Sequence, residues 1–171
     1  MSALSQGMIA LLSQQYKHET ANSLRYYQRS MYAEMIGLSG IAAFYKKQAE
    51  GEREHADRVL SYVNDRNVMI SMTGLTFDDL DINIGTDIVK TFESALIVEQ
   101  TTTAMIEDML KASRGERDYM TEQWLLDPSG LLKEQVEEEN LYQTILDRIN
   151  QMHNSPSMAH DLDVYISESL K

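Results

Sequence analysis

The sequence predicts an all-α fold: a four-helix bundle with a long crossover between its second and third helices and a short C-terminal fifth helix. Three observations carry this. The 171 residues include only 2 Pro and 8 Gly, while Leu, Met, Glu, Gln, Ala and Ile abound, a mixture that favours long helices over strands. Apolar residues recur at helical spacing through four long stretches. About twenty residues of connection-like composition separate the second stretch from the third.

The first helix is predicted from about Ser5 to Ile36, stopping near Gly37-Leu38-Ser39-Gly40, and the second from about Ile41 to Arg66. Asn67 to Gly85, with Gly74, Thr76, Asp78, Asp79, Asp81 and Gly85, reads as connection. The third helix is expected over about Thr86 to Ser113, ending at Arg114-Gly115, and the fourth between about Asp118 and His153. Ser155-Pro156 then reads as an N-cap followed by Pro at the first helical position. It opens a short amphipathic helix with Met158, Leu162, Tyr165, Ile166 and Leu170 on its apolar side. Tight turns make the first and second helices antiparallel, and likewise the third and fourth. The middle connection can reach ~66 Å when extended, whereas a 27-residue helix is ~40 Å long. It can therefore cross the bundle and start the third helix parallel to the second. A long connection with little structure of its own commonly has such a task. The whole chain, 1–171, is expected to form one domain, with the bundle over about 5–153 and the short helix over about 156–170.

Composition excludes several classes of function. A net charge of -12 argues against general nucleic-acid binding, which draws its affinity from neutralising phosphates, and suits attraction of cations. No cysteine is present, so neither a disulfide framework nor a thiolate metal site is expected. Met8 to Leu12 is too short for a signal peptide and lacks a preceding basic segment. Nothing approaches the ~20 apolar residues of a membrane span. The expected location is the cytoplasm, and the 11 Met read as core filler.

The informative signal is where carboxylates interrupt apolar stripes. One face of the first helix carries Ile9, Leu12, Tyr16, Glu19, Ser23 and Tyr26, and one face of the second Ile41, Phe44, Gln48, Glu52, His55, Val59 and Val63. The third helix gives Ile88, Phe92, Leu96, Glu99, Thr103, Ile106 and Leu110, and the fourth Leu132, Gln135, Glu138, Tyr142, Ile145 and Ile149. No Lys or Arg stands at any of these positions. In the crossover topology Glu19, Glu52, His55, Glu99, Gln135 and Glu138 all lie 11 to 18 residues from one end of the bundle. That is a spread of ~10 Å along its axis.

Taken singly, each signal has a plain reading. Glu-x-x-His is common on acidic helices, and Lys133-Glu134-Gln135-Val136-Glu137-Glu138-Glu139 resembles a solvated acidic face. Agreement of four helices at one height is what points to a site. Four buried carboxylates without partners would cost several kcal/mol each or take up protons. Two divalent cations would balance them. An oxygen-rich set with one imidazole suits iron or manganese, and Glu-x-x-His at i, i+3 is an inward motif of carboxylate di-metal bundles.

By these residues the chain resembles the ferritins, specifically the bacterial non-haem type, over nearly its whole length. The pattern matched is Glu19 with Tyr26 seven residues on, Glu52-x-x-His55, Glu99, and Gln135-x-x-Glu138. The resemblance implies a ferritin-like bundle that oxidises Fe(II) with O2 or H2O2 at an intrasubunit site of two irons per subunit. Ferric mineral would be deposited inside a homo-oligomeric shell of 24 subunits, with no haem and no nucleic-acid or membrane partner. It implies that Glu19, Glu52 and His55 hold one iron, and that Glu52 bridges to a second held by Glu99 and approached by Glu138. Gln135 would line the oxygen space, and Tyr26 would hydrogen-bond beside the site and donate electrons. The short last helix would pack around a fourfold axis. Haem-binding and rubrerythrin-like relatives fit less well. Arg53 follows Glu52 where a haem-ligating Met would stand, and the fourth helix lacks a second Glu-x-x-His.

Two departures from the pattern stand out. Gly51 occupies the position of an acid that would serve a third iron, so a third site involving Glu134 and Glu137 is weakened or rearranged. Asp127-Pro128-Ser129-Gly130 lies inside the expected fourth helix, where about three residues are gained. Pro and Gly oppose helix interiors, so a kink, bulge or restart is expected there, with Asp127 as its cap. Glu50, Glu54 and Glu139 could guide iron or merely face solvent, and His18, His153 and His160 are not expected to be ligands. Two other functional classes share the bundle: a helical oligomeric scaffold without redox activity, and a di-metal oxidase of a small organic substrate.

Overall fold

The computed structural model describes residues 3–75, 87–128, 130–152, 155 and 157–169. Among these residues all regular structure is helical: α1 (Gln6–Met35), α2 (Ser39–Asp65), α3 (Ile88–Glu116), α4 (Tyr119–Leu125), α5 (Leu131–Gln151) and α6 (Met158–Ser169). Ser5 caps α1 by accepting the Met8 amide at 3.0 Å, and its hydroxyl donates to Glu116 at 2.8 Å. The start of α1 is thereby tied to the end of α3. Gly37, at φ 80°, supplies the left-handed residue that ends α1.

Helix α2 begins at Ser39, two residues before the expected Ile41, because Gly40 lies in its first turn rather than in the connection. Leu38 offers no side-chain cap. The Asp163 carboxylate of α6 accepts the Ile41 amide at 2.8 Å instead. A Cβ on Gly40 would stand 2.4 Å from the Asp163 carbonyl oxygen and 2.9 Å from Ser167 Cβ. Gly40→Ala is therefore expected to push α6 off α2 at a cost of about 1–3 kcal/mol, read as a lower Tm and faster proteolysis of the C-terminal segment. Unchanged values of both would mean that α6 shifts without loss.

Two apolar clusters fix the helix directions. One joins Tyr26 and Ala33 of α1, Ile41, Phe44 and Tyr45 of α2, Ile88 and Phe92 of α3, Ile145 and Ile149 of α5, and Leu162 and Ile166 of α6. The other joins Met8 and Leu12, Val59 and Val63, Ile106 and Met109, Leu125 and Leu131. The start of α3 thus lies beside the start of α2, and the two run parallel, as the crossover requires. Residues 67–75 run along α1. Ile70 is buried in the second cluster, the Ser71 amide donates to Ser13 Oγ at 3.4 Å, and Lys17 Nζ to the Thr73 carbonyl at 3.1 Å. The remainder of the expected connection, 76–85, and the expected third-helix start at Thr86 lie outside the described residues.

Two expectations about the second half of the bundle need correction. Helix α3 passes its expected end at Ser113 and runs to Glu116, with Gly115 helical. It closes at Arg117, left-handed at φ 57°, where the Asp118 amide donates to the Ser113 carbonyl at 2.8 Å. Asp118 then caps α4 and pairs with Arg66 at 3.3 Å, while Trp124 stacks on Tyr62 at 4.1 Å between centroids. The fourth helix of the bundle is indeed interrupted, α4 ending at Leu125 and α5 restarting at Leu131, but Asp127 is not the cap. Gly130 holds that position with no side-chain cap bond, and its amide donates to the Asp127 carbonyl at 2.7 Å. A Cβ there would stand 2.8 Å from that same carbonyl oxygen, so glycine is the residue the restart accommodates.

The methionines are only partly core filler. Met8 and Met109 are buried, but Met31, Met35, Met69, Met72 and Met120 are exposed, on outer helix faces and in the crossover. The last helix starts at Met158, two residues after the expected 156, and Ser155 Oγ accepts the Ser157 amide at 3.3 Å in the turn before it. His153, Pro156 and Leu170 lie outside the described residues. No helix among the described residues is long and apolar enough to cross a membrane.

Candidate metal centre

A polar layer lies between the two apolar clusters. Glu19 of α1, Glu52 and His55 of α2, Glu99 of α3 and Gln135 of α5 are 0, 4, 7, 2 and 1% exposed, so all five face the bundle interior. Glu52, His55, Glu99 and Gln135 each have an apolar core residue one turn away, Ala49, Val59, Ala95 and Leu131, whereas Glu19 is flanked by the buried polar residues Gln15, Asn22 and Ser23. The helical period therefore delivers these side chains inward whether or not they are welcome there. Glu138 and Glu134 of α5 are half-buried, and the layer approaches the surface on that side.

One ligand atom from each of Glu19, Glu52 and His55 lies within 4.8 Å of the other two. Glu52 Oε2 stands 3.4 Å from His55 Nδ1. Those two atoms and Glu19 Oε2 are buried and have no hydrogen-bond partner. Native interiors seldom leave such atoms unmet, and here three residues of one cluster each carry one. Glu99 is held more firmly. It accepts from the Tyr26 hydroxyl, and Gln135 Nε2 donates to its Oε2 at 3.1 Å and to its backbone carbonyl at 3.2 Å. Glu138 accepts from Gln48 Nε2 at 2.7 Å.

Electrostatics follow from this crowding. Burial first, and then the charge on Glu99, pushes the Glu52 carboxyl up to about 8. Burial pushes Glu99 up to about 7 against the opposing hydrogen bonds from Tyr26 and Gln135. Glu19 is raised well above the ordinary carboxyl range by burial and then by Glu52, and Glu138 is raised chiefly by burial. Without a cation Glu52 keeps its proton at neutral pH, and burial biases Glu19, Glu99 and Glu138 in the same direction. A cation that displaced such protons would recover the electrostatics of several carboxylates at once.

The other predicted positions divide. Glu134 Oε2 lies 3.1 Å from His55 Nε2 and 2.7 Å from Arg58 Nη1. Glu137 is exposed and pairs with Lys133 at 3.7 Å on the outer face. Glu50 and Glu54 are exposed, and the half-buried Glu139 accepts from Thr103. His18 bonds Thr102 Oγ1 at 2.8 Å, and burial, then Arg25, lowers it to about 4. His160 is exposed.

Two contributors were not picked out from the sequence. Gln15 is buried and donates to Glu19 Oε1 at 2.6 Å. Its place one turn before Glu19 was the available signal. Arg29, 2% exposed, lies over the rings of Tyr26 and Tyr45 at 5.0 and 5.6 Å and donates to Ser94 Oγ at 2.9 Å. The absence of basic residues from the core stripes thus does not extend to the whole interior.

Comparisons with known proteins agree with this architecture. The sequence model of the Ferritin-like domain family matches residues 9–152. The bacterial non-heme ferritin of Staphylococcus aureus (strain USA300) is 29% identical over 141 residues, covering 82% of this chain and 81% of that protein. That of Staphylococcus haemolyticus is 28% identical over 149 residues, covering 87 and 86%. Among solved structures, an open pore ferritin from Archaeoglobus fulgidus superposes with a TM-score of 0.87 at 22% identity, over 98% of both chains. A PmFTN variant soaked in iron gives 0.85 at 24% identity, over 94% of this chain and 98% of that one.

Proposed function

Since this chain belongs to the ferritin family, we propose that it binds two Fe(II) per subunit at the Glu19–Glu52–His55–Glu99–Glu138 layer, oxidises them, and stores the ferric product inside a homo-oligomeric shell of 24 subunits. The observation that carries this reading is the set of orphaned donors. Glu19 Oε2, Glu52 Oε2 and His55 Nδ1 are buried and unpartnered, each of the three residues brings a ligand atom within 4.8 Å of the other two, and their chemistry, hard oxygen with one imidazole, suits Fe(II).

Fe(II) is the substrate, and each ion gives up one electron. Two ions supply the pair that takes O2 to H2O2, or H2O2 to water. The protein's part is to bind, orient and stabilise charge. Glu52, whose carboxyl feels both Glu99 and Glu19, would serve both metal positions, while His55 Nδ1 would add a nitrogen donor on one side. Anionic oxygen stabilises Fe(III) more than Fe(II), which assists oxidation. Tyr26 and Gln135 orient Glu99, and Gln15 orients Glu19. Protons displaced by the metal leave from Glu19, Glu52 and Glu99.

The shell finds support in the outer face of α1. Leu24, Tyr27, Met31 and Met35 recur there at helical spacing and are exposed, Met31 and Met35 by 73 and 74%. A stripe of that kind calls for a partner surface. The cytoplasm is the proposed location, as for handling Fe(II) under reducing conditions. The test mixes metal-free protein with Fe(II) anaerobically, measures bound iron and assembly mass, then admits oxygen and follows ferric absorbance. The expected result is saturation at two Fe(II) per subunit in a 24-subunit assembly, with oxidation faster than in buffer. Absence of saturable binding, or oxidation at the buffer rate, would refute ferroxidase function. A monomer or dimer that binds two metals would point instead to oxidation of a small organic substrate.

A further inference from the structure

We propose that Glu134, clamped by Arg58, is the positioning residue of His55 and not itself a metal ligand. This inference rests on the metal-binding reading of the layer and concerns how its one nitrogen donor is made ready. Glu134 Oε2 stands 3.1 Å from His55 Nε2. Arg58 Nη1 meets the same oxygen at 2.7 Å, which marks Oε2 as an acceptor, so the geometry assigns the tautomer in which Nε2–H donates to Glu134. In that tautomer the lone pair belongs to Nδ1. That atom lies 3.4 Å from Glu52 Oε2, is buried, and has no hydrogen-bond partner. A hydrogen bond from the far nitrogen fixes both the tautomer and the rotation of a metal-binding imidazole, and here it aims the free lone pair into the carboxylate layer.

Arg58 explains why Glu134 stays in this role. It follows His55 by three residues, on the same face of α2, and its Nη1 is 2.7 Å from the same Oε2. One carboxylate oxygen of α5 is therefore held by two donors from successive turns of α2. A carboxylate whose charge is already matched by a guanidinium gains little from turning towards a further cation. One turn before His55 on α2, Gly51 brings no carboxylate that could share a cation with Glu134, and nothing lies within 4 Å of its would-be Cβ. Glu137, the other acid of that helix considered for an extra cation, is exposed and paired with Lys133. Glu134 and Arg58 are 31 and 34% exposed in their side chains, so screening keeps the pair itself weak. What it contributes is direction, not stability.

The experiment is an anaerobic titration of the assembled, metal-free protein with Co(II), following visible ligand-field bands together with bound metal per subunit. Wild type is compared with Glu134→Ala and Glu134→Gln. Glu134→Ala is expected to keep the wild-type stoichiometry while weakening the nitrogen-ligated site about 10- to 100-fold. Glu134→Gln, whose amide oxygen still accepts from Nε2, is expected to recover most of that affinity. Loss of one Co(II) per subunit with the remaining affinity unchanged would make Glu134 a ligand and overturn the proposal. Unchanged affinity in Glu134→Ala would overturn it as well. Failure of the wild type itself to bind Co(II) would remove the underlying metal site, an outcome distinct from either.

Discussion

Replacing Glu52 and His55 together with alanine is expected to lower the initial rate of Fe(II) oxidation by more than about 100-fold, because loss of a single outer partner of a metal ligand already costs 10–100-fold. The double variant removes the central carboxylate and the only buried nitrogen donor of the layer at once. Bound Fe(II) should fall below two per subunit, with the loss at the Glu19 side. The metal-free fold should not suffer. Glu52 and His55 are buried with unmet polar atoms, and such groups cost stability where nothing satisfies them. The Tm of the metal-free variant is therefore expected to equal or exceed that of the wild type. A rate equal to the wild type's would take both residues out of the site. A fall in rate accompanied by a large drop in Tm would trace the loss to unfolding instead.

The second large effect is a stability that depends on pH in the metal-free protein and much less so in the loaded one. Glu52 and Glu99 are raised from 4.5 in the unfolded chain to about 8 and about 7 in the folded one. Between those values the folded state holds protons that the unfolded state has released. The stabilisation is thus fully present below pH 4.5 and is lost as pH rises through 7 and then 8. Each group changes stability by up to about 1.4 kcal/mol per pH unit across its window, so the pair together accounts for several kcal/mol. A divalent cation competes with those protons, and its advantage grows as they leave. The metal-free protein should melt at progressively lower temperature from pH 5 to pH 8, while the increment in Tm on adding Co(II) widens over the same range. An increment that does not vary with pH would show that the carboxylates are already ionised without metal.

Much of this site was legible because a helix enforces its period. Once Glu19, Glu52, Glu99 and Gln135 fell on apolar stripes, their inward direction followed from 3.6 residues per turn. Their common height followed from 1.5 Å per residue and the crossover. Where the sequence misled, the deciding contact was distant along the chain. Gly40 looked like a loop residue, yet Asp163 of α6, 122 positions from Ile41, supplies the cap that lets α2 start early. Gly115 looked like a helix stop, but α3 runs on to Glu116, whose carboxylate meets Ser5 at the far end of the chain. Asp127 had the right side chain for a cap, but its backbone carbonyl is what the Gly130 turn uses.

The sequence by itself determined the helices, their order, the break at Pro128 and the depth of the acidic layer, since these depend on local periodicity and on chain length. Only the tertiary structure decided that Arg58 holds Glu134 against His55, that Gln15 holds Glu19, and that Arg29 enters the interior beside Tyr26. Those outcomes depend on the rotation of one helix about its axis relative to its neighbours. A few tens of degrees exchange a ligand for a surface charge, and the packing of all four helices sets that angle rather than any residue alone.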